Sequence, residues 1–152
     1  MKDSFDRTID YVRIAVTDRC NLRCFYCMPA EGIPYEPKAH LLSYEEITRL
    51  LKILGGLGFQ KVRFTGGEPF LRKDFMKLLE NTAALDDYKS IHITSNGTLL
   101  QKNIPKLKEL GITKINLSID SLDKDRFHKI TRRDDFEKVM QTFHMLVDNG
   151  FK

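Results

Sequence analysis

The three cysteines of this chain of 152 residues all lie in one short stretch, CNLRCFYC, between residues 20 and 27. Cys20, Cys24 and Cys27 have the spacing C-x3-C-x2-C, and clustered thiolates bind zinc or iron–sulfur clusters well. A structural zinc site takes four ligands, and the nearest histidine in sequence, His40, lies thirteen residues beyond Cys27. Three thiolates would leave one iron of a four-iron cluster open to a non-protein ligand.

Composition and charge exclude several classes of protein. The chain is 41% hydrophobic and 30% charged, and its 25 basic and 21 acidic residues give a formal charge of +4. The sequence contains no dense stripe of basic residues of the kind that indicates a nucleic-acid partner. The start, MKDSFDRTIDYV, lacks the apolar core of a signal peptide, and no apolar run approaches membrane-spanning length. We therefore predict a cytoplasmic protein, in which clustered cysteines bind metal more often than they cross-link.

Strand-like and helix-like segments alternate along the chain, and the cysteine loop follows the first strand. Ser43 and Glu46 form a capping-box signature at the start of the first helix. This alternation predicts an α/β fold with a parallel sheet. Strands are predicted at 11–17, 61–65, 90–94 and 114–120, and helices at 43–58, near 74–85, ending near 110, and at about 135–149.

Each predicted strand has one apolar and one polar face, because residues two apart share a face. Both faces of a parallel sheet are normally covered, so the polar face favours the lumen of a partly closed barrel over a sheet washed by solvent. The polar faces carry Arg13, Arg63, Thr94 and Ser118. Two inward arginines need an anionic ligand, and phosphate matches the guanidinium fork.

The cysteine spacing, with Tyr26 before the last cysteine, and the turn TGGEP at 65–69 resemble the radical S-adenosylmethionine enzymes. The resemblance implies that Cys20, Cys24 and Cys27 hold a [4Fe-4S] cluster whose open iron binds the methionine end of S-adenosylmethionine. It also implies that Gly66 and Gly67 contact that cofactor through their main chain, which no Cβ obstructs.

The flanking motifs VTDRCN, YCMP and LSIDSLD are similar to those of the molybdenum cofactor biosynthesis protein A family, the GTP 3′,8-cyclases. The resemblance runs from about Asp10 to Gly150. It implies conversion of GTP to (8S)-3′,8-cyclo-7,8-dihydroguanosine 5′-triphosphate, in which a radical abstracts the ribose 3′ hydrogen and a ring closes onto guanine C8. The residues that it implies are Tyr26, Gly66, Gly67 and Ser118 for S-adenosylmethionine, and Arg13, Arg63 and Thr94 for GTP.

The chain also departs from this family. Phe70 stands where leucine is usual, and Arg132 stands where glycine is common, which would alter a turn. The three cysteines of the family's second [4Fe-4S] cluster have no counterpart here. We therefore interpret residues 1–152 as the N-terminal part of a radical SAM core domain, with about four βα units of a six-unit barrel. Residues 150–152 then approach a fifth strand, and we expect this chain alone to lack full activity.

Two other functions remain open at this stage. One is a different radical SAM enzyme, such as a peptide-modifying one, against which the arginine pair argues. The other is a non-catalytic cluster- or zinc-binding module, which metal analysis would identify. We further predict a reductant such as a flavodoxin or ferredoxin and no nucleic-acid or membrane partner, and we leave a homodimer open. KITRRD is interpreted as a solvated helix start, and His92, His128 and His144 as surface or satisfied histidines.

Overall fold

A computed structural model describes residues 2–152 and shows one parallel sheet of four strands in the order β1-β2-β3-β4. The strands are β1 (Tyr11–Ala15), β2 (Lys61–Thr65), β3 (Ser90–Ser95) and β4 (Lys114–Leu117). Each crossover returns the chain beside the preceding strand, as in a βα barrel, whereas the strand order of a doubly wound sheet reverses. The predicted α/β fold, a partial barrel with a parallel sheet, is therefore confirmed.

The helices lie in the connections after the strands. At the first helix, the Ser43 hydroxyl accepts from the Glu46 amide at 3.1 Å, and the Ser43 amide donates to the Glu46 carboxylate at 2.7 Å, which confirms the capping box. Across residues 2–152, no helix is both long and apolar enough to cross a membrane. The helices are α1 (Tyr44–Gly56), α2 (Phe75–Ala83), α3 (Ile104–Glu109), α4 (Lys124–Thr131) and α5 (Phe136–Asp148).

The hydrophobic core lies on the predicted apolar face of the sheet. Val62, Phe64 and Ile93 are completely buried there. Burial of one such side chain stabilises the fold by about 1.5–3 kcal/mol, so this face anchors the sheet. Phe70 packs edge-on against Phe75 with ring centroids 5.2 Å apart, so the aromatic residue found where leucine is usual joins the core.

Helix α4 corrects the interpretation of KITRRD as a solvated helix start. The Asp123 carboxylate caps α4 by accepting from the Arg126 amide at 2.8 Å. The segment KIT ends this helix, and Phe127 and Thr131 are buried. Arg132 follows with a left-handed φ of 53°. The sequence did not predict this helix, because its buried face is too short to form an apolar stripe.

The buried face of α5 also differs from the apolar spacing in its sequence. Phe136, Val139, Phe143 and Val147 recur at helical spacing in the sequence. Phe143 and Val147 are nevertheless 39% and 58% exposed, while Val139, Thr142 and Leu146 are buried. The Thr142 hydroxyl donates to the Gly97 carbonyl at 2.8 Å, which satisfies a polar group inside the core. A hydrogen-bonded threonine therefore takes a core position that a count of apolar residues overlooks.

The main chain of Lys152 continues the ladder beyond β4. Its amide donates to the Thr113 carbonyl at 2.7 Å, and its carbonyl accepts from the Ile115 amide at 2.9 Å. Lys152 thus lies beside β4, and the assignment of residues 150–152 to the approach of a fifth strand stays a prediction.

Candidate active site

The cysteine loop starts at the carboxyl end of β1 and is bonded there to the glycine turn after β2. The Gly67 amide donates to the Thr17 carbonyl at 2.7 Å, and the Glu68 amide donates to the Arg19 carbonyl, also at 2.7 Å. Ligand sites of parallel βα barrels lie at this end of the sheet. The two turns that carry the predicted cofactor residues are thus one hydrogen-bonded unit.

The two glycines make this close approach possible. A Cβ at Gly66 would overlap the carbonyl oxygen of Thr17, and a Cβ at Gly67 would overlap the carbonyl oxygen of Arg19. Gly66 also has a φ of 147°, which side chains rarely adopt. The space that we expected to serve the approach of a cofactor is therefore filled by the cysteine loop itself. Contact between these glycines and S-adenosylmethionine stays a prediction.

Cys20, Cys24 and Cys27 line one cavity of about 550 Å³, together with Gly66 and Gly67. Further lining comes from apolar side chains, which are Leu22, Met28, Ile33 and Leu41. Tyr26 and Ser118 do not belong to this lining. Within residues 2–152, no group of three His, Cys, Asp or Glu side chains is arranged to hold one metal ion. Soft sulfur donors around one shared cavity of this size fit a multi-iron cluster.

The thiols differ in burial and therefore in acidity. Cys24 is buried, Cys20 is half-buried and Cys27 is exposed. Burial raises the pKa of both Cys20 and Cys24, and the negative charges of Glu68 near Cys20 and Asp120 near Cys24 add to this effect. Iron binds the thiolate form, so cluster binding would displace protons from these two groups.

The turn after β3 supports the cysteine loop from a second side. The Asn96 amide group donates to the Cys20 sulfur at 3.7 Å and to the Asn21 side-chain oxygen at 3.0 Å. Asn21 in turn donates to the Thr98 hydroxyl at 2.8 Å. The sequence did not indicate this support of Cys20, because it depends on contacts across more than seventy residues.

Glu68 connects the turn after β2 to the turn after β3. Its side chain is completely buried, and its carboxylate accepts from the main-chain amide of Asn96 at 2.7 Å and from the Ser95 hydroxyl at 2.9 Å. Burial raises the pKa of Glu68, although these hydrogen bonds favour the charged form. The acidic residue of GGEP thus positions the loops around the cavity.

Tyr26 reaches from the cysteine loop to the end of β4. Its ring is 59% exposed, while its hydroxyl donates to the Asp120 carboxylate at 2.8 Å. Partial burial of the hydroxyl raises the pKa of Tyr26, and its hydrogen bond to Asp120 raises it further. An oxygen of Asp120 lies 4.0 Å from the Cys24 sulfur. Asp120 was not among the predicted site residues. The predicted residue Ser118 is exposed just beyond β4.

A row of basic side chains crosses the polar face of the sheet, and we call it the cationic row: Arg13, Arg63, His92 and Lys114. Strand pairing sets Arg13 opposite Arg63, Arg63 opposite His92, and His92 opposite Lys114. Arg63 lies over the Tyr11 ring at 5.7 Å, and its buried Nε has no hydrogen-bond partner among residues 2–152. The predicted residue Thr94 lies on the same face, nearer the carboxyl ends of the strands.

His92 extends the predicted arginine pair, and the sequence did not indicate this. Its Nε2 lies 2.8 Å from the Ser90 hydroxyl, so it is satisfied as we expected, but it is half-buried rather than at the surface. Burial lowers the pKa of His92, and the neighbouring charges of Lys114, Arg63 and Lys61 lower it further. At neutral pH the row therefore carries its charge on the arginines and Lys114.

Comparison with known proteins identifies the class to which this fold and site belong. The sequence profile of the Radical SAM superfamily matches residues 14–152. The chain belongs to the Radical SAM superfamily, and membership implies S-adenosylmethionine and a [4Fe-4S] cluster.

More specific similarity is found among curated proteins. The chain is 48% identical over 143 residues to the Molybdenum cofactor biosynthesis protein moc-5 of Caenorhabditis elegans, which covers 94% of this chain and 24% of that protein. It is 45% identical over 152 residues to the GTP 3′,8-cyclase of Clostridium botulinum, covering 100% of this chain and 48% of that protein. The chain thus spans about half the length of the bacterial relative.

A solved structure shares the fold. The crystal structure of Streptococcus suis SuiB bound to S-adenosylmethionine aligns with a TM-score of 0.72 and 20% sequence identity, covering 94% of this chain and 32% of that chain. At this identity the likeness concerns the fold alone, and it supports the partial barrel.

Proposed function

We propose that this chain supplies the cluster-binding and S-adenosylmethionine-binding part of a GTP 3′,8-cyclase of molybdenum cofactor biosynthesis. The observation that carries the proposal is the cationic row on the same sheet whose carboxyl end holds the cysteine loop. Relatives named for this function are 45–48% identical to the chain, which supports the assignment.

The position of the cationic row suits a nucleotide triphosphate. Ala15 and Thr65 lie two residues beyond Arg13 and Arg63 and line the cysteine cavity. Two residues of a strand span ~7 Å, so phosphates bound at the row would place a ribose close to the cavity. A peptide substrate has no general need for such a row, which disfavours the peptide-modifying alternative.

The residues of this chain would then have separate roles in binding the substrate and the cofactors. When bound, the cluster and S-adenosylmethionine supply the radical that abstracts a ribose hydrogen. Arg63 can offer its unpaired Nε–H to a phosphate oxygen, which would satisfy a buried donor. Leu22 and Met28 give the cavity apolar walls, which exclude water from a reactive intermediate.

We further propose that residues 1–152 belong to a longer barrel. The share of the bacterial relative that the chain covers, and the hydrogen bonds of Lys152 beside β4, support this proposal. All three cysteines lie in one loop, so ligands for a second [4Fe-4S] cluster would have to come from outside these residues. The reductant and the cytoplasmic location stay predictions, and a homodimer stays open.

Binding of GTP tests the proposal directly. We expect Arg63→Gln to weaken GTP binding by about tenfold or more, because a hydrogen bond to a charged group contributes about 1.5–3 kcal/mol and 1.4 kcal/mol is a factor of ten. Binding of guanosine, which lacks phosphates, should change little. Isothermal titration calorimetry on the reconstituted protein measures both affinities.

Arg49 provides the matched control, because it is exposed on α1 and away from the polar face. Arg49→Gln removes the same charge and should leave GTP affinity unchanged. Equal effects of the two substitutions would show that net charge, and not the cationic row, governs binding.

In an anaerobic assay with reductant, this chain alone should cleave S-adenosylmethionine slowly and form no cyclised GTP.

A further inference from the structure

The segment that follows α4 packs against the cysteine loop. The Arg23 amide donates to the Thr131 carbonyl at 2.9 Å, and the Phe25 amide donates to the Ile130 carbonyl at 3.0 Å. These two donors lie on either side of Cys24 in the sequence. The backbone on both sides of the middle cysteine is therefore fixed by a segment more than one hundred residues away.

Arg132 joins the two ends of the same turn. Its guanidinium donates to the Arg23 carbonyl at 3.3 Å and to the Met28 carbonyl at 3.1 Å. Arg23 precedes Cys24 and Met28 follows Cys27, so one side chain spans the turn that carries two of the three cysteines. The turn also has its own hydrogen bond, from the Cys27 amide to the Cys24 carbonyl at 2.8 Å.

The backbone of Arg132 is in a conformation that does not suit arginine. Its φ of 53° lies in the left-handed region, where a Cβ is crowded and glycine is preferred. Asp74, at the start of α2, has a similar φ of 62°, but its side chain makes no capping hydrogen bond and forms an exposed ion pair with Lys77. The side chain of Arg132, by contrast, is committed to two carbonyls.

We propose that Arg132 is a positioning residue that holds the cysteine loop in its cluster-binding shape before any iron is bound. The two guanidinium hydrogen bonds offset the backbone strain, and together with the main-chain bonds at Arg23 and Phe25 they preform the turn between Cys24 and Cys27. The role toward the cluster rests on the proposed function, whereas the role toward the loop does not.

The substitution Arg132→Gly relieves the strain and removes the clamp together. The thermal midpoint reports on the strain, and amide exchange and iron release report on the clamp. We expect its thermal midpoint to equal or exceed that of the wild-type chain. The amides of Phe25 and Cys27 should exchange hydrogen at least tenfold faster in the iron-free protein. After anaerobic reconstitution, a chelator should remove iron at least threefold faster than from the wild type.

Asp74→Gly is the control, because it also places glycine at a left-handed φ, but at the start of α2 and outside the cysteine loop. It should leave the exchange of both amides and the rate of iron release unchanged. The proposal is overturned if Arg132→Gly behaves like Asp74→Gly, or if its midpoint falls and exchange accelerates throughout the chain. Arg132→Asn, which tolerates a positive φ but cannot span both carbonyls, should reproduce the glycine result. If the wild-type chain takes up no iron, the proposed function fails, while amide exchange still tests the clamp.

Discussion

Gly67 lies so close to the main chain of the cysteine loop that a single methyl group there should be destabilising. Replacement of glycine by alanine at an ordinary backbone conformation usually stabilises a protein by about 0.4–1 kcal/mol, because it restricts the unfolded chain. At Gly67 the new Cβ would overlap the Arg19 carbonyl, which is main chain and cannot rotate away. We therefore expect Gly67→Ala to reverse the usual sign.

The size of the effect follows from what must move. Separating the turns strains the hydrogen bonds from Gly67 to Thr17 and from Glu68 to Arg19, both 2.7 Å long. Each contributes about 1 kcal/mol, and overpacking costs about 1–3 kcal/mol more. After subtracting the gain from the unfolded state, we expect a net loss of about 2–4 kcal/mol. For a chain of this length that corresponds to a midpoint about 5–15 °C lower.

Urea and thermal unfolding of the iron-free protein measure this loss, with Gly56→Ala as the control. Gly56 is the last residue of α1, and a Cβ there would have no neighbouring atom within 4 Å. Alanine at this position should therefore raise the midpoint slightly. A Gly67→Ala protein as stable as the Gly56→Ala protein would refute the packing argument. It would mean that the two turns separate without cost.

Two further predictions concern titration and the link to β4. Burial and then the neighbouring charges of Lys114, Arg63 and Lys61 lower the pKa of His92. A bound phosphate should favour its protonation, so GTP binding should take up a proton and tighten as pH falls through the range in which His92 titrates. Calorimetry in buffers of different ionisation enthalpy should show less proton uptake for His92→Gln, and equal uptake would exclude His92 from the site. Tyr26→Phe removes the donor to Asp120 and should cost about 1 kcal/mol or less in urea unfolding. A larger loss would contradict the exposed setting of this hydrogen bond.

The strand faces and the cysteine loop were predictable because they depend on local spacing. Alternation along each strand placed Arg13 and Arg63 on the polar side and Val62 and Phe64 in the core, as the structure shows. The alignment of Arg63 with His92 depends on the register between strands. Nothing within one strand encodes that register, so His92 could be interpreted from the sequence only as a surface or satisfied histidine.

The missed parts of the site share a physical reason, which is that polar contacts between distant segments leave no periodic pattern. Helix α4 buries little more than Phe127 and Thr131, so its sequence resembles a solvated segment. Asn96, Asp120 and Arg132 act through one or two side-chain hydrogen bonds each to the cysteine loop. Such partners become visible only once the fold brings them within bonding distance.

The contacts of the cysteine loop also order events in time. The loop depends on partners 76, 96 and 109 residues further along the chain, at Asn96, Asp120 and Arg132. Contacts of such long range form late in folding, because closing the intervening chain costs conformational entropy. During synthesis the three thiols therefore emerge long before α4 exists to hold them. Iron delivered too early would meet a flexible peptide, so correct assembly of the cluster should wait until the fourth strand and α4 have folded.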